Sequence, residues 1–412
     1  MPAQQNSRWP TTIGYFALFV AVGLETASLG PTLPGLAGQT QTQLDGISFL
    51  FTAHGLGYML GSFFGGRAYD RLRGHPLMVA MLLLMAAMLV VIPLVPALWL
   101  LAAAWLVLGV TGGALDVGGN TLLIWVHGRQ VGPFMNGLHF FFGVGSFLSP
   151  IIIALAIQTS GGITWAYWML ALLVLPVALW LVRLPSPSRQ MAAVGRELAN
   201  GDPATRSRPE VDRAQAGARR IVTPPHAVLI SLLLLLYVGA EAAFGGWIYT
   251  YAVALDLSDA TTAAYMVSAF WGALTAGRLL AVPLAARYRP RSLLFADLAG
   301  CLVSVGILLL WSSSPAATWL GVLGLGLSMA SIFPTAITLA ERRITITGQV
   351  TGWFLVSSSI GAMLLPWLIG QLFESVGPQI TMISILVDLI AAVGVLAVLL
   401  FLEARDGFAG QG

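Results

Sequence analysis

The sequence predicts an all-α membrane protein: twelve transmembrane helices in two pseudo-symmetric six-helix bundles. Three observations carry this reading: the composition, the spacing of the apolar segments and an internal repeat. The 412 residues are 57% hydrophobic and 9% charged, with a mean hydropathy of +0.85. A soluble domain carries roughly 25% charged residues, so this chain has too few to cover a surface in water. A bilayer-crossing helix needs about 20 apolar residues. Twelve such stretches lie near 11–33, 46–69, 76–96, 98–126, 133–158, 164–184, 227–251, 262–285, 291–311, 315–340, 348–373 and 379–402. A constant offset of 216 relates Glu25 to Glu241, Gly61 to Gly277, Arg71 to Arg287, Gly145 to Gly361 and Pro150 to Pro366. Two acids in register inside apolar segments mark the duplication of a six-helix unit.

The bundles are expected over 1–184 and 226–412, joined by a polar linker over 185–225. The first apolar stretch is long and no small-residue cleavage site follows it, so it reads as a retained span and not a signal peptide. The linker holds Arg189, Arg196, Arg206, Arg208, Arg213, Arg219 and Arg220 among Pro, Ser and Gly, with room for one short amphipathic helix. Arginines recur at Arg8, at Arg67, Arg71 and Arg73, at Arg129, at Arg287, Arg289 and Arg291, at Arg342 and Arg343, and at Arg405. The alternate connections, near 34–45, 157–163, 252–260, 312–315 and 374–378, have none. Positive charge is retained on the cytoplasmic side, so both termini and the linker are expected there, in a cell inner (plasma) membrane.

The net charge of +3 does not signal nucleic-acid binding, because the basic residues, all arginine, sit mainly between apolar segments. The single cysteine, Cys301, excludes an intramolecular disulfide and a thiolate cluster. No nucleophile–base motif, phosphate loop or metal-ligand cluster is visible, so neither an enzyme nor a cofactor is expected. A sensor would carry a larger soluble domain than this linker. Two six-helix repeats joined in this way are the mark of alternating-access transporters, whose site lies between the halves near the midplane. The expected protein is a monomer in the lipid bilayer with a small-molecule substrate.

Ionisable side chains within the membrane are costly and point to function. Five acids qualify: Glu25, Asp116, Glu241, Asp297 and Asp388. In the fourth span Gly109, Gly113, Asp116 and Asn120 share one helix face. That face either lines a wet cavity or packs closely on a neighbour, and Asp116 favours the cavity, since a carboxylate needs water, a proton or a partner. Glu25 precedes an expected helix break at Gly30-Pro31, and Glu241 precedes Gly245-Gly246, where the seventh span can unwind. Both are candidate substrate or ion ligands. Asp297 reads as an interface anchor and Asp388 ranks last. Arg278 either snorkels or pairs with an embedded acid. His54 and His139 are candidates for a proton relay, or are simply hydrogen-bonded. In the tenth span Gly324, Ser328, Ser331, Thr335 and Thr338 form a polar stripe suited to the opposite cavity wall.

The second span ends Gly65-Gly66-Arg67-Ala68-Tyr69-Asp70-Arg71-Leu72-Arg73-Gly74. This resembles the loop signature of the major facilitator superfamily, with Gly74 one residue later than the family pattern. The resemblance implies the major facilitator fold and a gating role for Gly66, Asp70 and Arg71, the acid capping a helix in the opposite half. The runs Gly113-Ala114-Leu115-Asp116-Val117-Gly118-Gly119-Asn120 and Gly137-Leu138-His139-Phe140 through Pro150 are similar to the branch of fucose–proton symporters and sodium-dependent glucose transporters. So are Tyr237-Val238-Gly239-Ala240-Glu241, Leu274-Thr275-Ala276-Gly277-Arg278 and Ser331-Ile332-Phe333-Pro334-Thr335. This resemblance implies ion-coupled symport of a hexose or similar polyol. It makes Asp116 the leading residue for coupling to H+ or Na+; Glu25 and Glu241 join it as coupling candidates by their embedded positions, because the branch's acid in the first span lies two residues nearer the proline. Sugar ligands would come from Asn120, Ser331, His54, Glu25 and Glu241, with Trp247 or Trp353 as an aromatic plate. The alternative is a proton-coupled exporter of amphipathic drugs or lipids, since Gly143, Gly145 and Pro150 loosely resemble an exporter motif. A large apolar cavity would favour the exporter; convergent polar groups would favour the sugar.

Overall fold

The computed structural model describes residues 8–187, 224–341 and 348–409. Every element among them is helical. The N-terminal half comprises α1 (Arg8–Thr26), α2 (Leu29–Thr40), α3 (Leu44–Ile47), α4 (Phe49–Arg71), α5 (Gly74–Val91), α6 (Leu98–His127), α7 (Val131–Ser160) and α8 (Thr164–Val182). The C-terminal half comprises α9 (Pro224–Ala254), α10 (Ala260–Arg287), α11 (Pro290–Leu310), α12 (Pro315–Met329), α13 (Ile332–Glu341), α14 (Gly348–Val376) and α15 (Ile380–Ala409). Among the described residues eleven helical segments are long and apolar enough to cross a bilayer, and the pair α1 and α2, bent by 45°, makes the twelfth. The linker arginines and the short amphipathic helix expected among them lie outside the described residues, as do Arg342 and Arg343.

Proline sets the breaks, but not where the sequence reading puts them. The first span breaks at Ala27 and Ser28, upstream of Gly30-Pro31. A proline cannot donate to the carbonyl four residues back and crowds it; for Pro31 that carbonyl belongs to Ala27. The tenth span, read as continuous, breaks at Ala330 and Ser331 between α12 and α13, and Pro334 stands four residues beyond Ala330. In contrast α9 runs unbroken through Gly245-Gly246. That pair serves close packing instead of unwinding: a Cβ on Gly30 of α2 would lie 2.7 Å from the Gly245 carbonyl oxygen.

The duplication seen in the sequence reappears as packing. Without a hydrophobic force between helices in lipid, small residues that let backbones approach drive association. In α7, Gly145 presses on the Val20 carbonyl of α1; at the related position in α14, Gly361 presses on the Leu235 carbonyl of α9. Likewise Gly61 of α4 meets α6 at Val110, and Gly277 of α10 meets α12 at Leu327 and Ala330. Pro150 and Pro366 are both absorbed inside long helices.

The halves touch at the face whose connections lack arginine. There the Leu44 amide donates to the Glu374 carboxylate at 2.9 Å. Gln371 Nε2 donates to the Asp45 carbonyl at 2.8 Å and to Ser48 Oγ at 3.1 Å. Beneath them Trp247 is fully buried between Phe51 and Phe373, with ring centroids 6.0 and 5.2 Å away. Its indole N–H donates to the Pro366 carbonyl at 2.9 Å. A carboxylate at a helix N-terminus contributes about 0.3–1 kcal/mol. Glu374→Gln is therefore expected to raise thiol labelling of Ser48→Cys, in a Cys301→Ser background, by about two- to fivefold. Unchanged labelling would mean that this contact does not hold the face closed.

Candidate functional site

Four glycines build the site by bringing α4 and α6 into backbone contact. A Cβ on Gly57 or Gly61 of α4 would strike the Leu106 or Val110 carbonyl of α6; one on Gly109 or Gly113 of α6 would strike the His54 or Tyr58 carbonyl of α4. The small face of the fourth span therefore packs on a neighbour along these turns and does not line a cavity. Asp116 and Asn120 continue the same face beyond the glycines and are half-buried.

On the locked face of α4, His54 and Tyr58 stand one turn apart and reach two acids. His54 Nε2 lies 2.7 Å from Glu25 Oε1, an ion pair when the ring is protonated, with the Glu25 side chain fully buried and that of His54 17% exposed. Thr26 Oγ1 donates to Glu25 Oε2 at 3.3 Å. The His54 ring stands edge-on to Trp105 at 5.7 Å, which limits its rotation. Tyr58 donates its hydroxyl to Asp116 Oδ2 at 2.8 Å, and Asn120 Nδ2 donates to Asp116 Oδ1 at 3.1 Å. Each carboxylate thus has a donor, as a buried charge requires. Glu25 and His54 form one polar group and Tyr58, Asp116 and Asn120 a second, one turn apart along α4 and spread over α1, α4 and α6.

The repeat does not copy this chain. At the same offset His54, Tyr58, Asp116 and Asn120 correspond to Phe270, Leu274, Ile332 and Ala336, all apolar. Only Glu25 has a polar mate, Glu241. Glu241 lies half-buried on α9 one turn after Tyr237. His139 of α7 stands exposed and edge-on to Phe19 at 5.8 Å. The structure does not bring His139 together with His54.

Other predicted residues fall elsewhere. The Ser331 hydroxyl donates to the Asp297 carboxylate of α11. Two more members of that polar stripe turn towards α11: a Cβ on Gly324 would lie 2.6 Å from Ser304 Oγ, and Ser328 lies against Gly300. From Gly324 to Ser331 the stripe is a packing seam, whereas Thr338 is exposed and donates to the Pro334 carbonyl of its own helix at 2.9 Å. Trp247 belongs to the closed contact between the halves. Trp353 is 61% exposed near the start of α14. Gly66, Asp70 and Arg71 are helical, in the last turns of α4. Asp388 sits half-buried in α15. Tyr58 escapes the sequence reading; its position four residues after His54, on the same helix face, was the available signal.

The sequence pattern of the Major Facilitator Superfamily matches residues 13–366. The sodium-dependent glucose transporter 1A of Mus musculus is 30% identical over 393 residues, spanning 87% of this chain and 88% of its own length. The solved xylose transporter XylE from E. coli, in a partially occluded inward open conformation, aligns with a TM-score of 0.72 at 12% identity, over 95% of this chain and 98% of that one. The solved nucleoside transporter NupG aligns with a TM-score of 0.70 at 15% identity, over 96% and 98% of the two chains. The solved structures speak for the fold, and the sequence pattern spans most of the chain. This chain therefore belongs to the Major Facilitator Superfamily of membrane transporters.

Proposed function

We propose that this protein is a secondary active symporter that moves a hexose or similar small polyol with an ion by alternating access. It is read as a monomer in the cell inner membrane, with 1–184 and 226–412 as rocking bundles and both termini cytoplasmic. The observation that supports the reading is the pair of polar groups Glu25–His54 and Tyr58–Asp116–Asn120, two embedded acids each held by donors within one half. Convergent polar groups suit a polyol, whereas an amphipathic substrate would call for a broad apolar cavity. A relative named for sodium-dependent glucose transport supports the same substrate class.

In this reading Asp116 and Glu25 carry the ion, while Asn120, His54 and Glu241 contribute to the sugar site. An ion and a sugar bound together favour one orientation of the halves only through their differential affinity for it. The imidazole–carboxylate pair is chemistry for a proton, while the relative's name points to sodium; the assay separates them. Labelled hexose uptake into proteoliposomes would be measured under an imposed proton gradient and then a sodium gradient. Accumulation driven by one gradient, falling by roughly 5- to 150-fold in Asp116→Asn, is the expected result. No hexose uptake under either gradient, in folded and inserted protein, would sink the assignment.

A further inference from the structure

We infer that Tyr58 is a positioning residue that joins Glu25–His54 and Asp116–Asn120 into one energetically coupled unit; this rests on the symport reading above. Gly112 of α6 faces both groups. The point where its Cβ would stand lies 3.4 Å from Glu25 Oε2 and 3.6 Å from Tyr58 Cδ2. The Tyr58 ring and the Glu25 carboxylate therefore meet over the same glycine, and the far end of the same ring donates to Asp116 at 2.8 Å. Tyr58 thus stands between the two acids and touches the neighbourhood of both.

Its backbone is fixed as well. The Tyr58 amide nitrogen lies 2.9 Å from the Cβ point of Gly109, and its carbonyl lies against that of Gly113. A side chain rooted in so closely packed a backbone starts from a fixed Cα, which helps hold its hydroxyl on Asp116. One turn earlier the same clamped helix carries His54 to Glu25. A change at either acid, by ion, proton or substrate, is passed to the other through a short stiff segment of α4. The C-terminal half has Leu274 at the related position, so the link is confined to the N-terminal half.

Two readouts test this, one of which needs no knowledge of the substrate. The first is a double-mutant cycle of Glu25→Gln and Asp116→Asn on unfolding stability of the purified protein, run in wild-type and Tyr58→Phe backgrounds. Non-additivity between the two acids in the wild-type background that vanishes in Tyr58→Phe is expected. Additivity in both backgrounds, or equal non-additivity in both, overturns the inference. The second readout is the steady-state accumulation of substrate under the driving gradient, set against counterflow rate. A merely structural defect lowers the number of working molecules, hence the counterflow rate, but not the final accumulation. Tyr58→Phe is expected to lower the accumulation at least about fivefold; unchanged accumulation overturns the inference. If the wild type accumulates no hexose, the symport reading fails, and the stability cycle still decides whether Tyr58 couples the acids.

Discussion

Glu25→Gln is expected to abolish ion-driven accumulation and to lower the stability of the protein by about 1.5–3 kcal/mol, the worth of a hydrogen bond to a charged group. The Glu25 side chain is fully buried and pairs with His54 at 2.7 Å. Removing one member of a buried pair strands the other, which costs roughly 3–5 kcal/mol when the survivor must stay charged. Glutamine keeps an amide oxygen that can still accept from the ring, so the lower range applies. Adding His54→Gln should then cost little more, because the charged partner has already been lost. Unfolding of the two single variants and the double variant measures this. Strict additivity would show that the pair is not energetically real, whatever its geometry.

Gly113→Val is expected to prevent folding, by more than about 4 kcal/mol, a range reached only by severe backbone or core disruption. The added carbons would run into the Tyr58 carbonyl, with Ser62 Oγ and the Ser62 amide only 2.8 and 2.9 Å from the new Cβ. Backbone atoms of a neighbouring helix cannot rotate aside, so α4 and α6 would have to separate along their length. Gly112→Ala is the control, one residue away on the same helix. Its Cβ would make ordinary contacts of 3.4 Å to Glu25 and 3.6 Å to Tyr58. The yield of monodisperse protein should collapse for the first variant and hold for the second. Equal yields would mean that the interhelical approach is looser than it looks.

The contrast between these two glycines shows where reading the sequence stops. Both sit in one apolar helix, and the pattern says only that they lie on different faces. Spacing alone placed Gly109, Gly113, Asp116 and Asn120 on a common face, but a helix face does not name its neighbour. The stripe on the tenth span, including Ser331 and Gly324, looked equally suited to a cavity and packs on α11 instead. Trp247, a candidate sugar plate by residue type, is buried between Phe51 and Phe373.

What the sequence determined by itself is what the bilayer imposes locally. Apolar length, the alternation of arginine-bearing and arginine-free connections, the repeat and the embedded acids are all properties of short stretches or of a constant offset. The lipid penalty acts on each stretch separately, so each can be read separately. The proline breaks are not read in this way: Pro31 and Pro334 each stand four residues past the first residue of a break, while Pro150 and Pro366 are absorbed inside long helices. The tertiary structure alone decided which acid meets which donor. Glu25 and His54 are far apart in the chain, as are Tyr58 and Asp116, and only the close approach of α1, α4 and α6 brings them within hydrogen-bond reach.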